Sequence, residues 1–138
     1  MRILVIDDEF AALKKLEVLL SEHGECDAAT NAGQAKDLFV KAIKEGKPYD
    51  LITVDIGLPD TNGLELLKFF SSMESRSTKL EAKKIVVTGS AEADDVLNAS
   101  KYCNGYITKP IKKEILEQKL NQLAIAAESD AEDEAPKE

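Results

Sequence analysis

The sequence predicts an α/β domain in which a parallel sheet carries helices on both faces. Three observations lead there. Short apolar, β-branched runs recur along the chain at Ile3-Leu4-Val5-Ile6, Leu51-Ile52-Thr53-Val54 and Ile85-Val86-Val87, as strands buried on both faces do. Between them, apolar residues recur at helical spacing, and strands separated by single helices form βαβ units with parallel pairing. The length of 138 residues, with 43% hydrophobic and 32% charged, is that of one ordinary globular domain.

Each element follows from local chemistry. After the first strand, Phe10, Leu13, Leu16 and Leu20 form a helical stripe that Gly24 closes. Residues 25–29 are a weak second strand, being Glu25-Cys26-Asp27-Ala28-Ala29. Asn31 can cap the next helix, which places Ala32, Ala35, Leu38, Phe39, Ala42 and Ile43 on one face and ends before Gly46. The third strand, Leu51 to Val54, runs into Asp55 and a loop of turn-forming residues from Ile56 to Gly63. Leu64, Leu67 and Phe70 mark a helix, and a polar connection spans Ser71 to Glu81. The fourth strand ends at Thr88. A weaker helix over 92–101 precedes the last strand, Tyr106-Ile107-Thr108, which stops at Lys109-Pro110. Ile111, Ile115, Leu116, Leu120 and Leu123 then fall at helical spacing. Residues 126–138 are expected to be a disordered acidic tail.

Charge narrows the function. The net charge is −8, and residues 128–138 hold six acids against one lysine, leaving −3 on the rest. Such a surface does not attract phosphate backbones, so no nucleic-acid partner is expected. No run approaches the apolar length of a membrane span, and Asp7 interrupts the first apolar run too early for a signal peptide. The expectation is a cytoplasmic protein with no membrane partner. Cys26 and Cys103, without a CxxC spacing, read as buried reduced thiols. Lys83-Lys84, Lys101 and Lys112-Lys113 read as solvated faces. His23 reads as a ring at the negative end of a helix dipole.

In a parallel α/β sheet, ligands bind at the carboxyl ends of the strands. The residues there are Asp7, Asp8 and Glu9, then Asp55, Thr88 and Lys109. Carboxylates crowded at one edge repel and raise one another's pKa unless a positive charge sits among them. A hard divalent cation with oxygen ligands answers that need, and Mg²⁺ is the natural candidate. Acids after strands can also serve only as helix caps; that explains one residue of the triplet but not Asp55, which precedes a loop.

Asp7-Asp8 after the first strand, Asp55 followed by Pro59 and Gly63, Thr88 after the fourth strand and Lys109-Pro110 after the fifth resemble the receiver domain of bacterial two-component response regulators. The resemblance spans residues 1–125. It implies a doubly wound, flavodoxin-like, five-stranded sheet in the order 2-1-3-4-5. It implies Asp55 as phosphoacceptor, taking a phosphoryl group from a sensor histidine kinase or histidine phosphotransfer protein. Mg²⁺ would then be held by Asp8, by Asp7 through water, by Asp55 and by the backbone C=O of Gly57. Lys109 would pair with Asp55 at rest and with a phosphoryl oxygen afterwards, with its bond to Pro110 cis. Thr88 and Tyr106 would be the switch pair, changing the face built from residues 92–101, the Tyr106 strand and the last helix. Gly57 and Ser90 would tune phosphoryl lifetime. Tyr102 departs from the small residue usual at its position.

Two other classes are disfavoured. A haloacid-dehalogenase-type phosphatase also forms an aspartyl phosphate, but needs a second Asp two residues on, where this chain has Gly57. A flavodoxin-like carrier needs a Ser/Thr-rich phosphate loop after the first strand, where residues 7–9 are acidic and would repel phosphate. Only 28 residues follow Pro110, so the expected form is a single-domain phosphoprotein that signals by binding a partner.

Overall fold

The three central strands of the sheet are buried almost throughout because each is covered on both sides. The structure is a computed structural model that describes residues 1–77, 81–89 and 98–123. Its strands are β1 (Arg2–Ile6), β2 (Glu25–Ala29), β3 (Leu51–Val54), β4 (Lys83–Thr88) and β5 (Gly105–Thr108). They form one sheet in the order β2-β1-β3-β4-β5 with every pairing parallel. The described helices are α1 (Phe10–Leu20), α2 (Ala32–Lys44), α3 (Gly63–Ser77) and α4 (Lys113–Gln122). This is the doubly wound architecture and strand order that the sequence led us to expect. β2 is an edge strand, only partly buried along its length, which is why its apolar signal is weak.

Alternation along the strands separates two cores. Leu4, Ile6, Ile52, Val54 and Val86 meet Phe39 of α2 and Leu66, Leu67 and Phe70 of α3. Ile3, Val5, Leu51, Ile85, Val87 and Ile107 meet Leu13, Leu16 and Leu20 of α1 and Leu116 and Leu120 of α4. Phe39 and Phe70 stack with centroids 4.5 Å apart at the middle of the first core. The Asn31 side chain accepts from the Gln34 amide, as its position predicts. Gly46 has φ +75° just beyond the C-cap of α2, a conformation that glycine adopts without steric cost.

Several local expectations are corrected. Phe10 heads α1 but is 67% exposed, and Ile115 on α4 is 45% exposed, so both leave their apolar stripes. Ile111 is buried although it precedes α4. Leu66 rather than Leu64 joins Leu67 in the core. Gly24 does not end α1, which stops at Leu20. Instead a Cβ there would collide with the Met1 carbonyl, which accepts from the Glu25 amide at 2.9 Å. His23 Nε2 lies 3.0 Å from Glu117 Oε2 on α4, a tertiary partner rather than a helix dipole. Cys26 and Cys103 are free and only half buried, with burial pushing the Cys26 thiol up to about 11. Most of the helix expected over 92–101 and the tail at 126–138 lie outside the described residues.

The largest correction concerns Ser71 to Glu81, where a polar connection was expected. α3 continues to Ser77 because Glu74 is buried and bonded. Its Oε1 takes Lys84 Nζ at 2.7 Å, and its Oε2 takes the Ala82 amide at 2.8 Å. Lys84 also donates to the Ala82 carbonyl, so it is a core residue and not a solvated one. Removing one partner strands a buried charge, which costs about 3–5 kcal/mol. Glu74→Leu and Lys84→Met are each expected to lose about that much in urea unfolding. The double variant should recover most of the loss, less the price of the Ala82 amide left without an acceptor.

Candidate functional site

Parallel pairing brings the strand ends into one row. The Asp7 amide donates to the Ala29 carbonyl, the Asp55 amide to Ile6 and the Lys109 amide to Thr88. Each chemical residue is therefore fixed by the backbone of the next strand before its side chain makes any contact.

Asp7 and Asp55 are buried and Asp8 is exposed. One oxygen from each of the three lies within 4.8 Å of the others. Lys109 Nζ stands 2.9 Å from Asp7 Oδ2, 3.2 Å from Glu9 Oε1 and 3.5 Å from Asp55 Oδ2. Pairing of Lys109 with Asp55 was expected at rest, but Asp7 and Glu9 lie closer. Asp7 Oδ1 accepts from the Glu9 amide. Asp7 Oδ2 faces the ammonium without hydrogen-bond geometry, so this buried oxygen has no hydrogen-bond partner among the described residues. Glu9 is the N-cap of α1 but makes no side-chain capping bond.

The charges perturb one another. Burial raises the Asp55 pKa and the Asp7 charge pushes the same way, opposed by the Gly57 amide and Lys109. Burial lowers the Lys109 pKa, but the close approach and charge of Asp7, the charge of Asp55 and the hydrogen bond to Glu9 outweigh it and hold the ammonium above its ordinary value.

The Asp55 loop is pinned at several points. The Gly57 amide donates to Asp55 Oδ1 at 3.1 Å. A Cβ at Gly57 would meet nothing within 4 Å, so this position opens to solvent. Gly63 is the reverse case: a Cβ would lie 2.7 Å from Ile56 Cα and 2.8 Å from the Asp55 carbonyl. Asn62 accepts from the Glu65 amide and caps α3. Asp60 accepts from the Ala32 and Gly33 amides at the start of α2, and these amides hold its carboxyl below the usual range. Sequence reasoning missed the Asp60 and Glu9 contacts, and only the placement of Asp60 in a turn-rich loop hinted at either.

Thr88 ends β4 and is buried, paired in register with Thr108. Tyr106 pairs with Val86 and is 45% exposed. It borders a cavity of about 210 Å³ lined also by Val86, Ala99 and Cys103. Tyr102 packs partly buried against the first core. The Lys109–Pro110 bond is cis, as the resemblance implied. Ser90 lies outside the described residues.

Fold and site together define a doubly wound α/β protein whose carboxyl edge holds an acidic pocket crossed by one ammonium. Residues 3–121 match the response regulator receiver domain, and the chain belongs to this family. It is 30% identical over 117 residues to the cell cycle transcriptional regulator CtrA of Caulobacter vibrioides, covering 83% of this chain and 46% of that protein. It is 30% identical over 111 residues to the TorCAD operon transcriptional regulatory protein TorR of Escherichia coli O157:H7, covering 80% and 44%. The chain thus spans about half the length of these curated relatives. A CheY-like response regulator receiver domain protein from Methanospirillum hungatei JF-1 superposes with a TM-score of 0.73 at 31% identity, covering 88% of this chain and 91% of that one. Among the described residues, no helix is long and apolar enough to cross a membrane.

The burial of Asp55 beside Asp7 yields a stability prediction. A carboxylate whose folded-state pKa is raised destabilises the fold at every pH above that pKa. The penalty fades as pH falls from there to the ordinary value. In EDTA at neutral pH, Asp55→Asn should therefore raise Tm by about 2–6 °C. That advantage should shrink on acidification, as thermal melts across pH will show.

Proposed function

We propose that this chain is a phosphoacceptor that takes a phosphoryl group onto Asp55 from the phosphohistidine of a sensor histidine kinase or histidine phosphotransfer protein. The reading rests above all on the placement of Asp55, a buried carboxylate of raised pKa beside Asp7, Asp8 and Lys109. In the step, an Asp55 oxygen attacks phosphorus and the P–N bond breaks. Its electron pair stays on the imidazole nitrogen, which is left neutral if it was protonated on the other side, and an acyl phosphate forms on Asp55. Lys109, already 3.5 Å from Asp55 Oδ2, turns to the phosphoryl oxygen as charge gathers there.

The donor set suits a hard divalent cation: it is all oxygen, and the Asp7 carboxylate there has a buried oxygen, Oδ2, without a hydrogen bond. Asp7, Asp8, Asp55 and the Gly57 carbonyl would hold Mg²⁺, which supplies charge neutralisation between an anionic nucleophile and an anionic donor. Asp7 and Asp55 are presented rigidly, and Asp8 supplies the exposed side of the site.

Signalling would follow from Thr88 and Tyr106. The Thr88 hydroxyl is drawn to the new phosphoryl oxygen, and the half-exposed Tyr106 ring has a cavity of about 210 Å³ beside it to enter. The altered face would be that of β5 and α4, with a protein as downstream target. We read residues 1–125 as the receiver unit and 126–138 as an acidic tail. The protein acts as a cytoplasmic phosphoprotein rather than as an enzyme with a separate substrate, and its acidic charge argues against nucleic acid as a direct partner.

Millimolar Mg²⁺ should raise the Tm of the wild type but not that of Asp8→Ala. Acetyl phosphate should add one phosphoryl mass without a kinase, and Asp55→Asn should abolish it in intact-mass spectra. Label persisting in Asp55→Asn would refute the assignment. Gly57 offers no side chain to hold an attacking water, so label should be lost faster from Gly57→Asn than from wild type when the two decay side by side.

A further inference from the structure

Lys109 is shared among three carboxylates, and the one proposed to react is the farthest. Its Nζ is 2.9 Å from Asp7, 3.2 Å from Glu9 and 3.5 Å from Asp55. Asp7 is buried and its other oxygen is tied to the Glu9 amide. Glu9 differs from both: its side chain is 62% exposed, makes no capping bond to α1 and is not among the three clustered aspartates. A cavity of about 510 Å³ lined by Glu9, Lys15, Lys109 and Pro110 gives its carboxylate room to swing away.

We propose that Glu9 is a positioning residue that draws the Lys109 ammonium away from Asp55 in the unphosphorylated protein and so slows phosphoryl uptake. The inference rests on the reading of Asp55 as phosphoacceptor. An ammonium on a flexible stem offers three donors as a point charge, and a carboxylate at 3.2 Å competes for it with any arriving anion. An incoming phosphoryl group must win Lys109 from Glu9 before the ammonium can neutralise it. Because the Glu9 pair is exposed, its hold is weak, and releasing it should speed uptake by about 1.5- to 5-fold. Glu9 thus sets a threshold without touching the phosphorus.

The test uses acetyl phosphate and the full chain in Mg²⁺ buffer, reading the initial labelling rate by intact mass. An Asp55 oxygen bonds to phosphorus, the P–O bond to the acetyl group breaks and acetate leaves with the electron pair. Glu9→Gln removes the charge and should label faster by the stated factor, with Tm unchanged. Glu9→Asp keeps the charge but shortens the reach, so it should label faster as well. In a Lys109→Ala background the acceleration by Glu9→Gln should vanish. The proposal is overturned if Glu9→Gln labels no faster, if Glu9→Asp stays at the wild-type rate, or if the acceleration survives without Lys109; in the last two cases Glu9 acts only through its general field. The two readings fail differently. Wild-type label that Asp55→Asn does not remove defeats the phosphoacceptor assignment, whereas Asp55-dependent label insensitive to Glu9 defeats the role of Glu9 alone.

Discussion

The constraint behind the site is the parallel register of β1, β3, β4 and β5. Because these strands run the same way and end at one level, Asp7, Asp55, Thr88 and Lys109 arrive at a single edge. An antiparallel neighbour would carry its terminal residue to the opposite edge. The amide bonds from Asp55 to Ile6 and from Lys109 to Thr88 carry that register directly to these two residues. What results is a concentration of negative charge that the Lys109 ammonium partly offsets.

Rigidity is distributed unevenly around this edge. The loop after Asp55 is held at Gly57, packed without a Cβ at Gly63, and clamped by Asp60 to the first amides of α2. These contacts hold the backbone around Asp55 in place. Asp8 and Glu9, by contrast, lie exposed on the β1–α1 connection. The exposed charges stand on the solvent side of the pocket.

Two charged clusters of similar composition play opposite parts. Glu74 and Lys84 are buried, matched one to one and bonded further to the backbone at Ala82, so they fasten α3 to the sheet. At the carboxyl edge three carboxylates share one lysine. Burial there, reinforced by the charge of Asp7, raises the pKa of Asp55.

Much of this was readable in one dimension. β3 coincides with the apolar run from Leu51 to Val54, and β2 with residues 25–29, because hydrophobic patterning is a local signal. The strand-end acids, Lys109 and the capping role of Asn31 were visible for the same reason. Tertiary structure alone decided the burial of Glu74 and Lys84, since nothing local distinguishes a lysine that will meet a carboxylate ten residues earlier from one in water. It also decided that Phe10 and Ile115 face outward, that His23 meets Glu117, and that Asp60 reaches back to α2. Above all it decided the order of distances around Lys109. Sequence spacing brings an ammonium to the right edge of the sheet, but which of three carboxylates it approaches most closely depends on ångström-scale packing between strands that are a hundred residues apart in the chain.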